Sequence, residues 1–153
     1  MTHRSVKLQL LRSADWILAE PMMKAFYKHF GYVYSDRMQG RAFRELLADD
    51  RLGSAWFVRV NAQPVGYVVM TLGWSIEYGG RVAVVDELYV LPEFRGHGIG
   101  RRVLAQMRAE ARRAGIRKLF LEVESFNRRA KALYARTGFG DTRRTLMRMD
   151  VRR

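Results

Sequence analysis

The sequence predicts an α/β domain in which a mixed, mostly antiparallel central sheet is flanked by helices, in the order β-α-α-β-β-β-α-β-α-β. Three observations support this prediction. The chain has 153 residues, a common size for one domain. Hydrophobic residues make up 48% of it, which is enough for a buried core. Short apolar runs alternate with segments of helical periodicity. We therefore expect residues 1–153 to form a single domain.

The N-terminal part predicts one strand and two helices. Residues 7–11 form an apolar-rich run of strand length. Apolar side chains from Trp16 to Phe30 recur at helical spacing, and Pro21 within this segment predicts a kink or a division into two pieces. Asp36 is a suitable N-cap for a second helix that ends before Gly53.

The middle of the chain predicts three strands. Runs rich in valine and aromatic residues cover 55–60, 65–74 and 81–90. Turn-forming residues over 61–64 and 77–80 separate these runs, so we expect two antiparallel hairpins.

The C-terminal part predicts crossover connections through helices. An amphipathic segment over 99–114 leads to a short strand over 118–123, which should therefore lie parallel to 81–90. A helix over 127–137 and a last strand over 145–151 complete the predicted order.

The positive charge is concentrated in the C-terminal part of the chain. The net charge is +13, and residues 95–153 carry 17 basic and 5 acidic residues. Positive charge concentrated in one part of the chain favours an anionic partner such as a phosphorylated cofactor or a nucleic acid. Because 23 of the 28 basic residues are arginine, a solvated arginine-rich surface is the simpler alternative.

The composition also favours some classes of protein over others. Cysteine is absent, which excludes disulfides and thiolate catalysis. His3, His29 and His97 are far apart in sequence, so no metal site is expected. Apolar runs of membrane-spanning length and the apolar core of a signal peptide are both missing, and we expect a cytoplasmic protein with no membrane partner.

A glycine-rich loop separates the strand over 81–90 from the helix over 99–114. It contains Gly96, Gly98 and Gly100, and Arg95 precedes them. Free amides and the helix dipole at such a loop favour an anion, most naturally a phosphate. The loop lacks the Gly-Lys-Ser/Thr ending of a Walker loop, and its glycines do not satisfy the dinucleotide pattern GxGxxG.

The loop does fit the pattern RxxGxG, through Arg95, Gly98 and Gly100, and in this it resembles the GNAT superfamily of N-acetyltransferases. The preceding segment 86–95 and the later segment 127–139, with its Leu-Tyr pair and closing Gly-Phe, resemble the corresponding parts of that superfamily. The predicted order of elements over residues 5–151 also follows it.

The resemblance implies a site for acetyl-CoA. Loop amides would bind the pyrophosphate, the main chain of the preceding strand would pair with the pantetheine arm, and one residue of the later helix would contact it. The residues assigned in this way are Leu88, Tyr89, Val90, Arg95, Gly96, His97, Gly98, Ile99, Gly100, Arg101 and Asn127.

The resemblance also implies acid–base residues. Tyr134 matches a tyrosine that protonates the departing thiolate in many members, with a core aromatic as the alternative. Asp86 and Glu87 are the candidate bases, and strand alternation predicts that their side chains point to opposite faces. Glu87 is slightly favoured. A backbone N–H near Leu88 would stabilise the oxyanion.

The acceptor is predicted as an amine, with several alternatives left open. A small-molecule amine is favoured and a protein amine is the sub-alternative. Glu77, Glu122 and Glu124 are further carboxylates that could line an acceptor pocket. A basic nucleic-acid- or ribosome-associated module without catalysis is the alternative of another class, and a homodimer is kept as an option.

Overall fold

The computed structural model describes residues 5–151. They belong to two compact units, Met1–Glu122 and Val123–Arg153. The expectation of a single domain over 1–153 stays a prediction.

The first unit is built on a five-stranded sheet in the order β1-β2-β3-β4-β5. Its strands are β1 (Val6–Leu10), β2 (Gly53–Val60), β3 (Gln63–Ser75), β4 (Gly80–Val90) and β5 (Lys118–Leu121). Neighbours from β1 to β4 are antiparallel, and β5 runs parallel to β4. The mixed, mostly antiparallel sheet that the sequence predicts is therefore confirmed.

Three helices cover the two faces of this sheet: α1 (Trp16–Phe30), α2 (Arg41–Ala48) and α3 (Ile99–Arg113). The apolar side of α3, which includes Val103 and Met107, packs with one face of the sheet. Side chains of α1 and α2, among them Met23 and Phe43, pack with the other face. The sheet therefore has a hydrophobic core on each side, and α3 is separated by the sheet from α1 and α2.

Strand β4 contains a β-bulge at Asp86. Val69 pairs with Glu87 and Met70 pairs with Val85, so Asp86 is an extra residue with no partner in β3. The insertion reverses the alternation of side chains along the strand. Val85 and Leu88 both belong to the core beneath α3, whereas Tyr89 belongs to the core beneath α1 and α2.

The pairing between β4 and β5 stops before β4 ends. Its last pair is Val85 with Leu121, and β4 continues to Val90. The amide of Leu91 donates a hydrogen bond of 2.8 Å to the carbonyl oxygen of Val65, which belongs to β3. Because main-chain groups alternate in direction along a strand, those of Leu88 and Val90 point away from β3. The last residues of β4 thus present an open strand edge.

The structure decides against two expectations in the described residues, a division of α1 at Pro21 and a strand over 145–151. α1 is not divided at Pro21, because this proline lies on the solvent-exposed side of the second turn, where water can satisfy the carbonyl that loses its N–H partner. No strand forms over 145–151, where every residue is exposed. Alternating apolar residues do not suffice for a strand, since a strand needs a hydrogen-bonded neighbour, and the described sheet ends at β5.

The second unit contains α4 (Arg128–Arg136). Asn127 caps this helix, since its Oδ1 accepts a hydrogen bond from the amide of Ala130 at 3.1 Å. Gly138 follows the helix with φ of 98°, a left-handed conformation that glycine adopts readily and that ends a helix. The predicted helix and its stop signal are confirmed.

Candidate active site

The glycine-rich loop ends at the N-terminus of α3. Gly96 and Gly98 have φ of 84° and 72°, and Gly98 is the N-cap of the helix. In the described chain, the amides of residues 96–98 donate to no backbone carbonyl. The amides of Ile99, Gly100 and Arg101 are the first of the helix and have no acceptor within it. Six successive residues can therefore offer main-chain donors to an anion.

Arg95 braces this loop against the end of β4. Its Nε donates to the carbonyl oxygen of Val90 at 2.7 Å, and its guanidinium lies 5.2 Å from the centre of the Tyr89 ring. One guanidinium nitrogen lies 3.5 Å from Nε2 of His29 in α1. The side chain of Arg95 thus holds the loop in place, and it uses the Val90 carbonyl in doing so.

His97 is exposed on the loop. Its Nδ1 lies 3.3 Å from the carbonyl oxygen of Phe94, so the ring is engaged with the loop itself. The assignment of His97 to the cofactor site stays a prediction.

Glu87 is buried between two tyrosines. The hydroxyl of Tyr67 donates to Oε2 at 2.6 Å, and the hydroxyl of Tyr27 donates to Oε1 at 2.9 Å. Glu87 is only 9% exposed and Tyr67 is fully buried. Each carboxylate oxygen therefore has one fixed donor and retains lone pairs for a further partner.

Burial raises the pKa of Glu87, and the nearby charge of Asp86 adds to this effect. The hydrogen bonds from Tyr67 and Tyr27 act in the opposite direction, since they favour the charged carboxylate. Burial and the Glu87 charge also raise the pKa of both tyrosines, so they remain protonated donors at neutral pH.

Asp86 and Glu87 line the same cavity. This cavity has a volume of about 370 Å³ and lies between α1, α2 and the sheet. The prediction that the two carboxyls point to opposite faces is wrong, because the bulge at Asp86 breaks the alternation on which it depends. Asp86 is exposed, yet partial loss of water raises the pKa of its carboxyl.

The other walls of the cavity are largely apolar. They include residues of α1, α2 and β3, together with the turn before α2 and the residue before β2. The residues besides Asp86 and Glu87 are Met23, Tyr27, Gln39, Ala42, Phe43, Glu45, Leu46, Leu52, Val69 and Thr71.

The remaining predicted residues fall into two groups, by the unit to which they belong. Glu77 and Glu122 do not line this cavity. Asn127 and Tyr134 belong to the second unit, as does Glu124. Within that unit, the ring centres of Tyr134 and Phe139 lie 6.0 Å apart. Partial burial raises the pKa of Tyr134.

Two residues of the site were not assigned from the sequence. They are Tyr67 and Tyr27, the two tyrosines that hold Glu87. The predicted hairpin could have indicated that Tyr67 lies near Glu87. In it, Tyr67 pairs with Tyr89, which is two residues from Glu87. No comparable signal exists for Tyr27, because Tyr27 and Glu87 are 60 residues apart in the chain.

Within residues 5–151, no group of three or more His, Asp or Glu side chains is arranged to hold a metal ion. None of the helices described for those residues has the length and apolar character of a membrane span.

A family profile described as the acetyltransferase (GNAT) family matches residues 19–139. An uncharacterized N-acetyltransferase of Methanocaldococcus jannaschii is 34% identical over 123 residues. The match covers 78% of this chain and 54% of the relative, so the chain spans about half the length of that protein.

Solved structures show the same fold. An integron cassette protein from the mobile metagenome of Cole Harbour Salt Marsh has a TM-score of 0.84 and 30% identity, with 95% of this chain and 91% of that chain covered. An aminoglycoside N-acetyltransferase in complex with CoA has a TM-score of 0.80 over 97% and 96% of the two chains. At 14% identity the second comparison concerns the fold alone.

The raised pKa of Glu87 predicts a pH-dependent loss of stability. Between its ordinary pKa of about 4.3 and the raised pKa of the folded state, the folded protein binds more protons than the unfolded chain. The free energy of unfolding should therefore fall as pH rises through this range. Glu87→Gln should remove this part of the decline, as measured by urea unfolding between pH 4 and pH 8.

A companion variant tests the cause of the shift. Tyr67→Phe keeps the carboxyl but removes a hydrogen bond that lowers the pKa of Glu87, so the decline should extend to higher pH. Identical pH profiles for wild type and Glu87→Gln would contradict the prediction.

Proposed function

Because the chain belongs to the acetyltransferase (GNAT) family, we propose that it transfers an acetyl group from acetyl-CoA to the primary amine of a small molecule. The amine attacks the thioester directly while both substrates are bound. One observation carries this proposal: β4 leads from a cavity lined by its own carboxylates, Asp86 and Glu87, to a loop with six main-chain donors. The strand thereby connects a site for an amine with a site for a diphosphate.

Acetyl-CoA would bind along the end of β4 and the loop that follows. The amides of Gly96, His97, Gly98, Ile99, Gly100 and Arg101 are the proposed diphosphate donors. The open edge at Leu88 and Val90 offers main-chain groups to the pantetheine arm, with Tyr89 between them turned toward the core. Arg95 supports the loop, since its side chain is already bound to Val90. Asn127 is assigned to the pantetheine region by resemblance.

Glu87 is the proposed general base. An ammonium group must lose a proton before it can attack, and a carboxylate with a raised pKa is better suited to accept that proton. Tyr27 and Tyr67 orient the carboxylate. Asp86 at the same cavity would attract the ammonium ion and is kept as the alternative base.

The remaining groups stabilise charge that develops during the reaction. A main-chain N–H at Leu88, on the open edge of β4, would donate to the oxyanion. Tyr134 would donate its proton to the departing thiolate, and its raised pKa means that it is protonated at neutral pH. The role of Tyr134 rests on the sequence motif, since it belongs to the second unit.

The size of the cavity favours a small molecule over a protein amine. A volume of about 370 Å³ lies at the lower end of the range for small-ligand pockets, roughly 300–1,000 Å³.

Gly98→Asp should abolish the binding of acetyl-CoA, because it places a carboxylate among the proposed phosphate donors. Wild type should be stabilised by about 2.7 kcal/mol at a ligand concentration 100 times Kd, and the variant should show no thermal shift.

Gly115→Asp is the matched control. Gly115 has φ of 70° and open space around its Cα, like Gly98, but lies beyond the other end of α3. Gly115→Asp should keep the full shift with acetyl-CoA. Stabilisation by RNA but not by acetyl-CoA would contradict the proposal and favour the nucleic-acid-binding alternative.

The two carboxylates should differ in the kinetic step they affect. Glu87→Gln should lower kcat by about 10²–10⁴-fold, because a general base contributes that much to a rate. Asp86→Asn should mainly raise KM for the amine. The measurement is thiol release from acetyl-CoA as a function of amine concentration. A larger loss of kcat in Asp86→Asn would assign the base to Asp86.

Tyr134→Phe should lower kcat by about 10²-fold and leave the thermal shift with acetyl-CoA unchanged. Tyr78→Phe removes a hydroxyl from the β3–β4 hairpin, outside the cavity, and serves as the control with wild-type turnover. Unchanged turnover in Tyr134→Phe would refute its acid role.

A further inference from the structure

We propose that the acceptor is an apolar monoamine, that is, a primary amine on an alkyl or aryl-alkyl skeleton without a carboxylate, phosphate or second ammonium group. This inference rests on the proposed function and defines its substrate class. It is carried by the charge, the hydrogen bonding and the size of the cavity between α1, α2 and the sheet.

The charge of the cavity opposes anionic acceptors. Asp86, Glu87 and Glu45 are its ionisable acids, and no lysine, arginine or histidine is among the described residues that line it. A carboxylate or phosphate on the acceptor would enter a cavity with negative walls and find no cation to pair with. Such a group would also lose part of its hydration there. Amino acids and phosphorylated amines should therefore be poor acceptors.

The hydrogen bonds of the three acids leave room for one ammonium group. Each oxygen of Glu87 already accepts from one tyrosine, and its remaining lone pairs are those that would take a proton from the same ammonium group. Glu45 forms an ion pair with Arg41, with Nε and Oε1 2.8 Å apart. Within the described residues no donor reaches the carboxylate of Asp86, so Asp86 is the acid best placed to bind an incoming ammonium ion.

The rest of the cavity suits a hydrocarbon. Met23, Phe43 and Leu46 are buried side chains of α1 and α2, and Val69 of β3 lies among them. A second ammonium group placed against these side chains would lose hydration without gaining a partner. An alkyl or aryl group in the same place would instead gain about 25 cal/mol for each Å² of apolar surface removed from water.

The volume limits the length of the acceptor. A cavity of roughly 150 Å³ holds one benzene molecule. A cavity of about 370 Å³ therefore accommodates one ring with a short chain, or a linear chain of similar size. Only part of an acceptor with several sugar rings would fit inside it.

A matched series of amines tests the chemical class. Hexylamine, 6-aminohexanoate and 1,6-diaminohexane share one chain and differ only in the terminal group. In the thiol-release assay with the full chain, kcat/KM for hexylamine should exceed that for each of the other two by at least about tenfold. An equal or higher value for 6-aminohexanoate, 1,6-diaminohexane or kanamycin would overturn the inference and leave the proposed function intact.

A pair of variants tests whether this cavity determines the preference. Ala42 and Ala48 are both exposed on α2, but only Ala42 lines the cavity. Ala42→Lys should lower kcat/KM for hexylamine by about tenfold and reduce its advantage over 6-aminohexanoate. Ala48→Lys adds the same charge to the same helix and should keep the wild-type ratio. An equal effect of both variants, or of neither, would overturn the assignment to this cavity.

Binding without turnover separates the inference from the proposed function. N,N-Dimethylhexylamine carries no N–H to exchange for an acetyl group, so its binding can be measured by calorimetry whether or not the chain is catalytic. Wild type should bind it, and Ala42→Lys should bind it at least about tenfold more weakly. If wild type binds this amine but acetylates no amine, the proposed function is refuted and the apolar monoamine preference is not. If wild type does not bind it, the preference is refuted.

Discussion

The bulge at Asp86 in β4 is the constraint on which the site depends. One extra residue reverses the alternation of the strand, so Val85 and Leu88 both pack beneath α3 while Glu87 turns to the side of α1 and α2. Without this insertion, regular alternation would place Glu87 with Val85 on the opposite face, away from Tyr27 and Tyr67. The bulge also brings Asp86 to the same cavity. A local irregularity of the backbone therefore brings the two neighbouring carboxyls to one cavity.

The hydrogen bonds around Glu87 explain why a buried carboxylate is tolerated. Burial alone would favour the neutral acid, and the nearby Asp86 adds to that effect. The hydroxyls of Tyr27 and Tyr67 partly offset the lost hydration and fix the orientation of the carboxylate. The remaining imbalance keeps the pKa of Glu87 above its ordinary value, which suits a group that must accept a proton. The raised pKa that lowers the free energy of unfolding at neutral pH would therefore also make Glu87 a better proton acceptor in the reaction we propose.

In the described sheet, the end of β4 has a neighbouring strand on one side only. Beyond Val85 the strand is paired only with β3, which leaves the main-chain groups of Leu88 and Val90 directed outward. The loop that follows is held by Arg95 and delivers its amides at the N-terminus of α3. The strand therefore supports both the proposed thioester site and the proposed diphosphate site. Its rigidity comes from the cores on the two faces of the sheet.

The sequence by itself determined the local features: the turns, the order of the elements up to α4, and the glycine loop. These features depend on residues close together in the chain. The tertiary structure alone decided the contacts between distant residues: the pairing of Tyr27 with Glu87, the bulge at Asp86 and the shared cavity. It also decided against a strand over 145–151 and against a break at Pro21. Those outcomes depend on strand register, hydrogen-bonded neighbours and exposure to water, which a pattern of neighbouring residues does not specify.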